Sequence, residues 1–166
     1  MSTKKTAVVT APATEFEEID DLANLSYADT LEYRIINPAS GKPTTWVWTL
    51  AGPAHAVTLA LEEKIMRQEQ EEESKHVQAR IAAAKANKPE PKRPNSSPAE
   101  NRARNAENLA GRVLGFTPVK LDGVTYEYSH ENAVKLLADP SKDWIWTQIF
   151  NAATSKLGFM RSFAET

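Results

Sequence analysis

The chain contains no cysteine, and its 166 residues include only three histidines and six glycines. Without cysteine there is no disulfide, no thiolate metal ligand and no cysteine nucleophile. The glycines never form a G-x-G-x-x-G pattern or a P-loop, so no glycine-rich loop is present to cradle a phosphate. The longest apolar run is far too short to cross a bilayer. These absences fit a protein of the cytoplasm, which is the location we expect.

Residues suited to catalysis or metal binding are scattered along the chain. Of His55, His76 and His130, only His76 has a carboxylate, Glu72, at a spacing that places both on one helical face. That stretch is strongly polar, so we interpret these residues as a solvated surface. No serine lies in a nucleophile elbow, and carboxylate pairs such as Glu17-Glu18 lack the apolar surroundings that raise the pKa of a catalytic acid. The sequence therefore predicts no catalytic residue, no cofactor and no metal site.

Charge is segregated along the chain although the net charge is only -2. Residues 15–32 hold seven acidic side chains and no basic one, and residues 69–73 add four glutamates. Residues 75–112 reverse the balance, with nine Lys or Arg against three glutamates. We interpret both runs as solvated faces and a solubilising linker. Nucleic-acid contact by the basic run has little support, because no aromatic side chain between His76 and Arg112 is present to stack on a base.

A proline-rich stretch marks the clearest internal boundary. Residues 87–98 include four prolines, at positions 89, 91, 94 and 98. Proline removes backbone donors and fixes φ, so the stretch predicts an extended, semi-rigid linker. We expect a flexible tail at 1–14, a β-hairpin with a long helix at 15–86, and a mainly helical C-terminal module at 99–166. The predicted fold class is α+β, in two lobes.

The N-terminal lobe combines a strand pattern with a helix pattern. Pro38 and Gly41 predict the turn of a β-hairpin, since proline presets φ and glycine accepts the left-handed conformation. A helix is predicted from Pro53, with no breaker before Asn87 and a long polar middle. Its first half carries an apolar stripe at Val57, Leu61 and Ile65. A helix of about 33 residues is on the order of 50 Å long, so its polar middle projects into solvent or contacts a partner.

The C-terminal module predicts helix, hairpin, helix and helix. A first helix is expected from Pro98 to Gly115, and Asp122-Gly123 between short alternating runs predicts a two-residue hairpin turn. Ser129 is a good N-cap for the stretch "HENAVKLLA". Asp139-Pro140 ends that helix and begins the last one, which is expected to continue to Met160.

All four tryptophans belong to two similar stretches, "TTWVWTL" and "DWIWTQI". In a strand, residues i and i+2 point the same way, so Trp46 and Trp48 form either a hairpin core or a contact patch. In a helix such a pair diverges, and the pattern predicts that Trp146 faces the core while Trp144 lies off it. The candidate partner-binding residues are Trp46, Trp48, Val57, Leu61, Ile65 and Trp144.

The order of these features supports a resemblance over roughly residues 31–66 and 106–160. The positions that carry it are Asn37-Pro38, Gly41, Asp122-Gly123, Ser129, Glu131, Asn132, Ala133, Leu136-Leu137, Pro140, Trp144-Ile145, Gln148 and Phe159. In this arrangement they resemble the small morphogenesis proteins of tailed bacteriophages, many of which are described as tail assembly chaperones. The longer proline-rich linker is a departure from that family.

The resemblance implies a non-enzymatic protein that works in the host cytoplasm during virion assembly. A tail assembly chaperone is expected to hold the tail tube subunit, the tape-measure protein or both, and to be absent from the finished particle. A second hypothesis is a structural virion component, a capsid-stabilising or head-completion protein, because segregated charges and a tether suit a chain that bridges neighbouring subunits. A third is a nucleic-acid-binding or host-directed phage protein. A homo-oligomer is a further possible assembly of this chain.

Overall fold

The fold is mixed α+β, as predicted. A computed structural model describes residues 26–93 and 95–160, so the predicted tail at 1–14 lies outside the described residues. Within them, the helices are α1 (Ala56–Lys85), α2 (Pro98–Ala110), α3 (His130–Ala138) and α4 (Asp143–Thr154). The strands are β1 (Thr30–Ile36), β2 (Pro43–Ala51), β3 (Val113–Phe116), β4 (Val119–Leu121) and β5 (Val124–Tyr126). They form two antiparallel sheets, β1-β2-β3 and β4-β5.

Both predicted hairpin turns use left-handed backbone conformations. Gly41 has φ of 67° in the turn between β1 and β2, and its N–H donates to the carbonyl of Asn37 at 2.8 Å. Asp122 and Gly123 have φ of 51° and 82°, the two positive values that a type I′ turn needs. Glycine accepts such values without strain, and aspartate tolerates them better than most residues.

The sheet β1-β2-β3 separates a buried face from a more exposed one. Trp46, Trp48 and Leu50 alternate along β2 and are buried. The residues between them, Val47 and Thr49, are only half-buried on the other face. This period of two follows from the pleat of a strand, and it places both indole rings in the core.

The first C-terminal helix is shorter than predicted, because α2 ends at Ala110 and not at Gly115. The chain then becomes β3, in which Gly115 pairs with Thr49 and Phe116 with Trp48 of β2. The helix predicted to continue through "LAGRVLGF" to Gly115 is therefore wrong in its second half. The edge of β2 supplies backbone hydrogen bonds and buries Val113 and Phe116, and this tertiary context outweighs local helix propensity.

The predicted two lobes share one sheet and one core. Strand β3, which follows the linker, pairs with β2, which precedes it. A single cluster of buried residues joins Ile35 and Trp48 from the N-terminal side with Leu109, Leu137 and Ile149 from the C-terminal side. The linker therefore connects two segments of a common core, because neither segment alone covers the apolar face of the sheet.

The last helix is also divided differently from the prediction. A 3-10 turn, Pro140–Lys142, follows the cap Asp139, and α4 begins only at Asp143. Helix α4 ends at Thr154, and a second 3-10 turn, Lys156–Phe159, completes the segment expected to be helical up to Met160. The Ser155 side chain accepts a hydrogen bond from the N–H of Gly158 at 3.2 Å, and a serine that caps a new turn interrupts the helix before it.

Candidate contact surface on the long helix

Helix α1 is continuous and almost entirely exposed. It has 30 residues, from Ala56 to Lys85, and its only fully buried residue is Thr58. The predicted start at Pro53 is wrong, since Pro53 lies in the preceding turn and His55 is the N-cap. The Nδ1 atom of His55 accepts from the N–H of Val57 at 3.2 Å. The first N–H groups of a helix have no partner within the helix, so a side chain that accepts from one of them stabilises the first turn.

The linker returns along α1 in the antiparallel direction. Arg80 of α1 forms an ion pair with Glu90 of the linker at 2.5 Å. Nearer the start of α1, Glu73 forms a second ion pair with Arg93 of the linker. Pro91 between them is half-buried. These exposed ion pairs contribute little energy each, but together with the fixed φ of the prolines they hold the linker beside the helix.

An open cleft lies between the middle of α1, the linker and α2. Its volume is about 1050 Å³. The α1 wall is acidic, with Glu69 and Glu72 beside the half-buried His76, and the opposite wall is basic. The remaining lining residues are Met66, Gln70, Glu73, Lys75, Ala79, Pro91, Lys92, Arg93, Ser96 and Arg104. Walls of opposite charge with apolar side chains between them suit a protein segment that carries both charges and apolar groups.

The apolar stripe of α1 is partly available for contact. Val57 is 39% exposed, whereas Leu61 and Ile65 are half-buried. Leu61 lies against Gly111 at the end of α2, where a Cβ atom added to the glycine would stand 3.0 Å from Leu61 Cδ2. Val57 is therefore the part of the stripe that is open to a partner, whereas Leu61 and Ile65 are partly covered by the rest of the chain.

Trp46 and Trp48 do not form a contact patch. Both are buried, their ring centroids lie 5.4 Å apart, and Trp48 lies 4.8 Å from Phe116. Phe116 in turn meets the ring of Tyr128 edge to face at 5.5 Å. Of the two alternatives, the structure shows the hairpin core. A partner would reach these indole rings only if the core opened.

Trp144 and Trp146 are more alike than the helical pattern predicted. Both are half-buried and pack against the core, so the expected contrast between an inward Trp146 and an outlying Trp144 is wrong. Ile145, Ile149, Ala152 and Ala153 form the buried face of α4, and at 100° per residue Trp144 and Trp146 lie on either side of it, so both rings reach the core from its edges. Trp146 also stacks on Phe150 at 4.6 Å between ring centroids, and Phe150 is 40% exposed.

The histidines have structural surroundings rather than a common site. His55 caps α1, His76 lines the cleft, and His130 Nε2 lies 2.8 Å from Glu107 Oε1. Within residues 26–93 and 95–160, no group of three or more His, Asp or Glu is placed to hold a metal ion. Over the same residues, none of the helices is long and apolar enough to cross a membrane.

A second apolar stripe of α1 is not among the partner-binding residues predicted from the sequence. Met66, Val77 and Ile81 are 58%, 40% and 51% exposed, and Ala84 continues the row. At 100° per residue these positions share one side of the helix, which differs from the side of Val57, Leu61 and Ile65. The i, i+4 spacing of Val77 and Ile81 was visible in the sequence, but the polar run before it hid the pattern.

Comparison with protein-family models, with curated proteins and with solved structures finds no match to this chain. The resemblance to tail assembly chaperones consequently stays a prediction from the residues themselves.

Proposed function

We propose that this chain is a non-enzymatic, protein-binding component of tailed-phage assembly, and that it acts as a tail assembly chaperone for the tail tube or tape-measure protein. The observation that carries the proposal is the exposure of α1, which buries only Thr58 among its 30 residues. A helix with so little burial gains almost no stability from its own core, so its length serves a contact outside that core. The partner is inferred from the resemblance of the sequence to tail assembly chaperones.

In this proposal α1 and the returning linker form a projecting arm on the common core. The partner contacts the open side of the arm near the core, at Val57 and the cleft. Leu61 and Ile65 continue the apolar surface along α1 toward the cleft, and the acidic and basic walls of the cleft fix the orientation of the bound segment. Trp144 contributes through its half-buried ring at the start of α4.

A Val57→Asp variant tests this contact without breaking the helix. Aspartate in the first turn of a helix is favourable, so α1 should still form. We expect copurification with the tail tube or tape-measure protein of the same phage to fall by about tenfold, the cost of placing a charge in an apolar contact. Ser74→Asp introduces the same charge at an exposed position in the middle of α1, and it should bind like the parent chain. Equal binding by all three chains would reject the contact.

The composition of purified particles separates the proposal from its main alternative. A chaperone should be absent from mature virions when their proteins are quantified by mass spectrometry. Near-stoichiometric copies would instead identify a structural virion component, a capsid-stabilising or head-completion protein. The arm and its segregated charges would suit that role as well, because they extend away from the core toward a neighbouring subunit.

Nucleic-acid binding has less support from the contacts of the basic stretch. Arg93 bonds to Glu73, and Arg102 lies 3.8 Å from Asp143, so two of the relevant charges already have acidic partners. A DNA-binding assay at low salt with Lys92, Arg93, Arg102 and Arg104 neutralised checks this alternative. Binding by the parent chain that the neutral variant loses would revive it.

A further inference from the structure

The outer half of α1 carries an apolar stripe that the rest of the described chain leaves uncovered. Val77 and Ile81 are 40% and 51% exposed, and with Ala84 they line a shallow groove of about 360 Å³. The other side of this groove is formed by Arg80, Lys88 and Glu90, at the return of the linker. Val77, Ile81 and Ala84 lie farther along α1 than Val57, on the opposite side of the helix from it.

Charge along the same part of the helix changes sign between Glu73 and Lys75, just before Val77. Residues 69–73 contain four glutamates, whereas residues 74–88 contain four Lys or Arg and no acid. Glu73 and Arg80 pair with the linker, but Glu69, Glu71 and Glu72 form no ion pair among the described residues. Lys75, Lys85 and Lys88 are likewise without an acidic partner there. The acidic segment therefore ends shortly before Val77, and the basic segment contains Val77 and Ile81.

We propose that a second copy of this chain covers the stripe, with the two α1 helices antiparallel and crossing at Val77. In this register the acidic residues 69–73 of one copy lie beside residues 81–85 of the other, next to Arg80 and Lys85. The groove receives the apolar side chains of the second helix. A parallel pair would instead place four glutamates beside four glutamates, so charge selects the antiparallel arrangement.

The size of the contact sets its strength. The two helices overlap from residue 69 to residue 85, about 24 Å at 1.5 Å per residue. A contact between two helices over that length is small and does not exceed the lower end of stable interfaces, about 1,200 Å². The dimer therefore dissociates on dilution, and salt weakens it because its charges are exposed.

Sedimentation equilibrium of the full chain tests the association. The mass should rise from 18.4 kDa toward twice that value as concentration increases, and less so in 0.5 M salt than in 0.05 M. Ile81→Gln keeps a good helix former and removes the apolar side chain, so it should raise the dissociation constant by about tenfold. A mass that stays monomeric up to millimolar concentration, or a dimer that Ile81→Gln leaves unchanged, overturns the proposal.

The absence of native cysteine makes the register directly measurable. Val77→Cys should oxidise to a disulfide-linked dimer, because position 77 faces itself across the two-fold axis. In the antiparallel pair the two copies of position 81 are about 12 Å apart along the axis, too far for the Cα separation of a disulfide. Ile81→Cys should therefore crosslink slowly, as should Lys75→Cys on the opposite side of the helix. Rapid crosslinking at position 81 would indicate a parallel pair, and rapid crosslinking at position 75 would indicate random collision; either result overturns the register.

Glu69, Glu72 and Glu73 belong to both proposed contacts, but the apolar contacts at Val57 and at Val77 are separate, so different variants test them. Val57→Asp, which should weaken partner binding, lies outside the stripe and should leave the dimer intact. A monomeric chain that still binds its tail partner would overturn the dimer alone.

Discussion

The side-chain amide of Gln148 in α4 hydrogen-bonds both backbone groups of Ile36, the last residue of β1. The N–H of Ile36 donates to Oε1 at 2.8 Å, and Nε2 donates to the carbonyl of Ile36 at 2.9 Å. A carboxamide offers a donor and an acceptor side by side, as a peptide group does, so Gln148 takes the place of a neighbouring strand. The contact ties α4 to the sheet and blocks this end of the β1 edge.

Gln148→Leu should destabilise the fold by about 1–3 kcal/mol, because it leaves two partly buried backbone groups of Ile36 unpaired. Urea unfolding followed by circular dichroism measures the change. Thr147→Ala, at the adjacent exposed position, is the matched control and should change stability by less than about 0.5 kcal/mol. Similar midpoints for the two variants would mean that the amide pairing contributes no stability.

Gly52→Ala should be strongly destabilising. A Cβ atom at this buried position would lie 2.2 Å from the backbone oxygen of Ala28 and 2.9 Å from that of Asp29. Backbone cannot retreat as a flexible side chain does, so we expect a loss of at least about 2 kcal/mol. Gly115→Ala provides the control, since nothing lies within 4 Å of its added Cβ, and it should be neutral or stabilising by up to about 1 kcal/mol. Thermal unfolding that ranks the two variants the other way would contradict this packing.

Asp139 should make stability fall in strong acid. Its carboxylate accepts from Lys142 Nζ at 2.8 Å and from the hydroxyl and N–H of Ser141, and these hydrogen bonds lower its pKa from 3.8 to about 2. Because the folded pKa is depressed, the contribution is complete above pH 3.8 and is lost as the pH falls toward 2. Lys142 also bonds to Asp122 at 2.9 Å, so the same cation joins the start of α4 to the turn of the β4-β5 hairpin.

The measurement is the urea midpoint between pH 6 and pH 2, for the parent chain and for Asp139→Asn. The parent should be the more stable chain at pH 6, and the difference should shrink between pH 4 and pH 2. Glu127→Gln removes a carboxylate that is exposed and forms no ion pair within the described residues, so it serves as the control. A parent and an Asp139→Asn chain separated by the same amount at every pH would show that the carboxylate's charge is not responsible.

Trp144→Ala distinguishes a contact residue from a packing residue. The ring is half-buried against the core, so truncation should cost about 1–3 kcal/mol of stability. Trp48→Ala, which leaves a cavity at a fully buried site, should cost about 3–5 kcal/mol of stability and is the reference for a fully buried tryptophan. If Trp144 also contacts the partner, its variant should bind the tail protein less well at a temperature where it is fully folded. Unchanged binding there would make Trp144 ordinary packing.

The sequence by itself determined the turns, the helix cap and the strand alternation, because these depend on the chemistry of a few neighbouring residues. Pro38 and Gly41 predicted one turn and Asp122-Gly123 another, because few residues accept the backbone angles that these turns need. Ser129 accepts from the N–H of Asn132 at 3.0 Å, as expected of an N-cap. The alternation in "TTWVWTL" also placed Trp46 and Trp48 on one side of a strand, since the strand period needs no knowledge of neighbours.

The tertiary structure decided what depends on distant partners. Only the edge of β2 explains why Val113–Phe116 is a strand, and only the surroundings of α4 explain why Trp144 and Trp146 are both half-buried. The exposure of α1 was visible as a polar middle, but the return of the linker along it, which brings Glu90 beside Arg80, was not. Local sequence sets backbone preference and period, whereas burial is a property of what the rest of the chain, or a second chain, brings alongside.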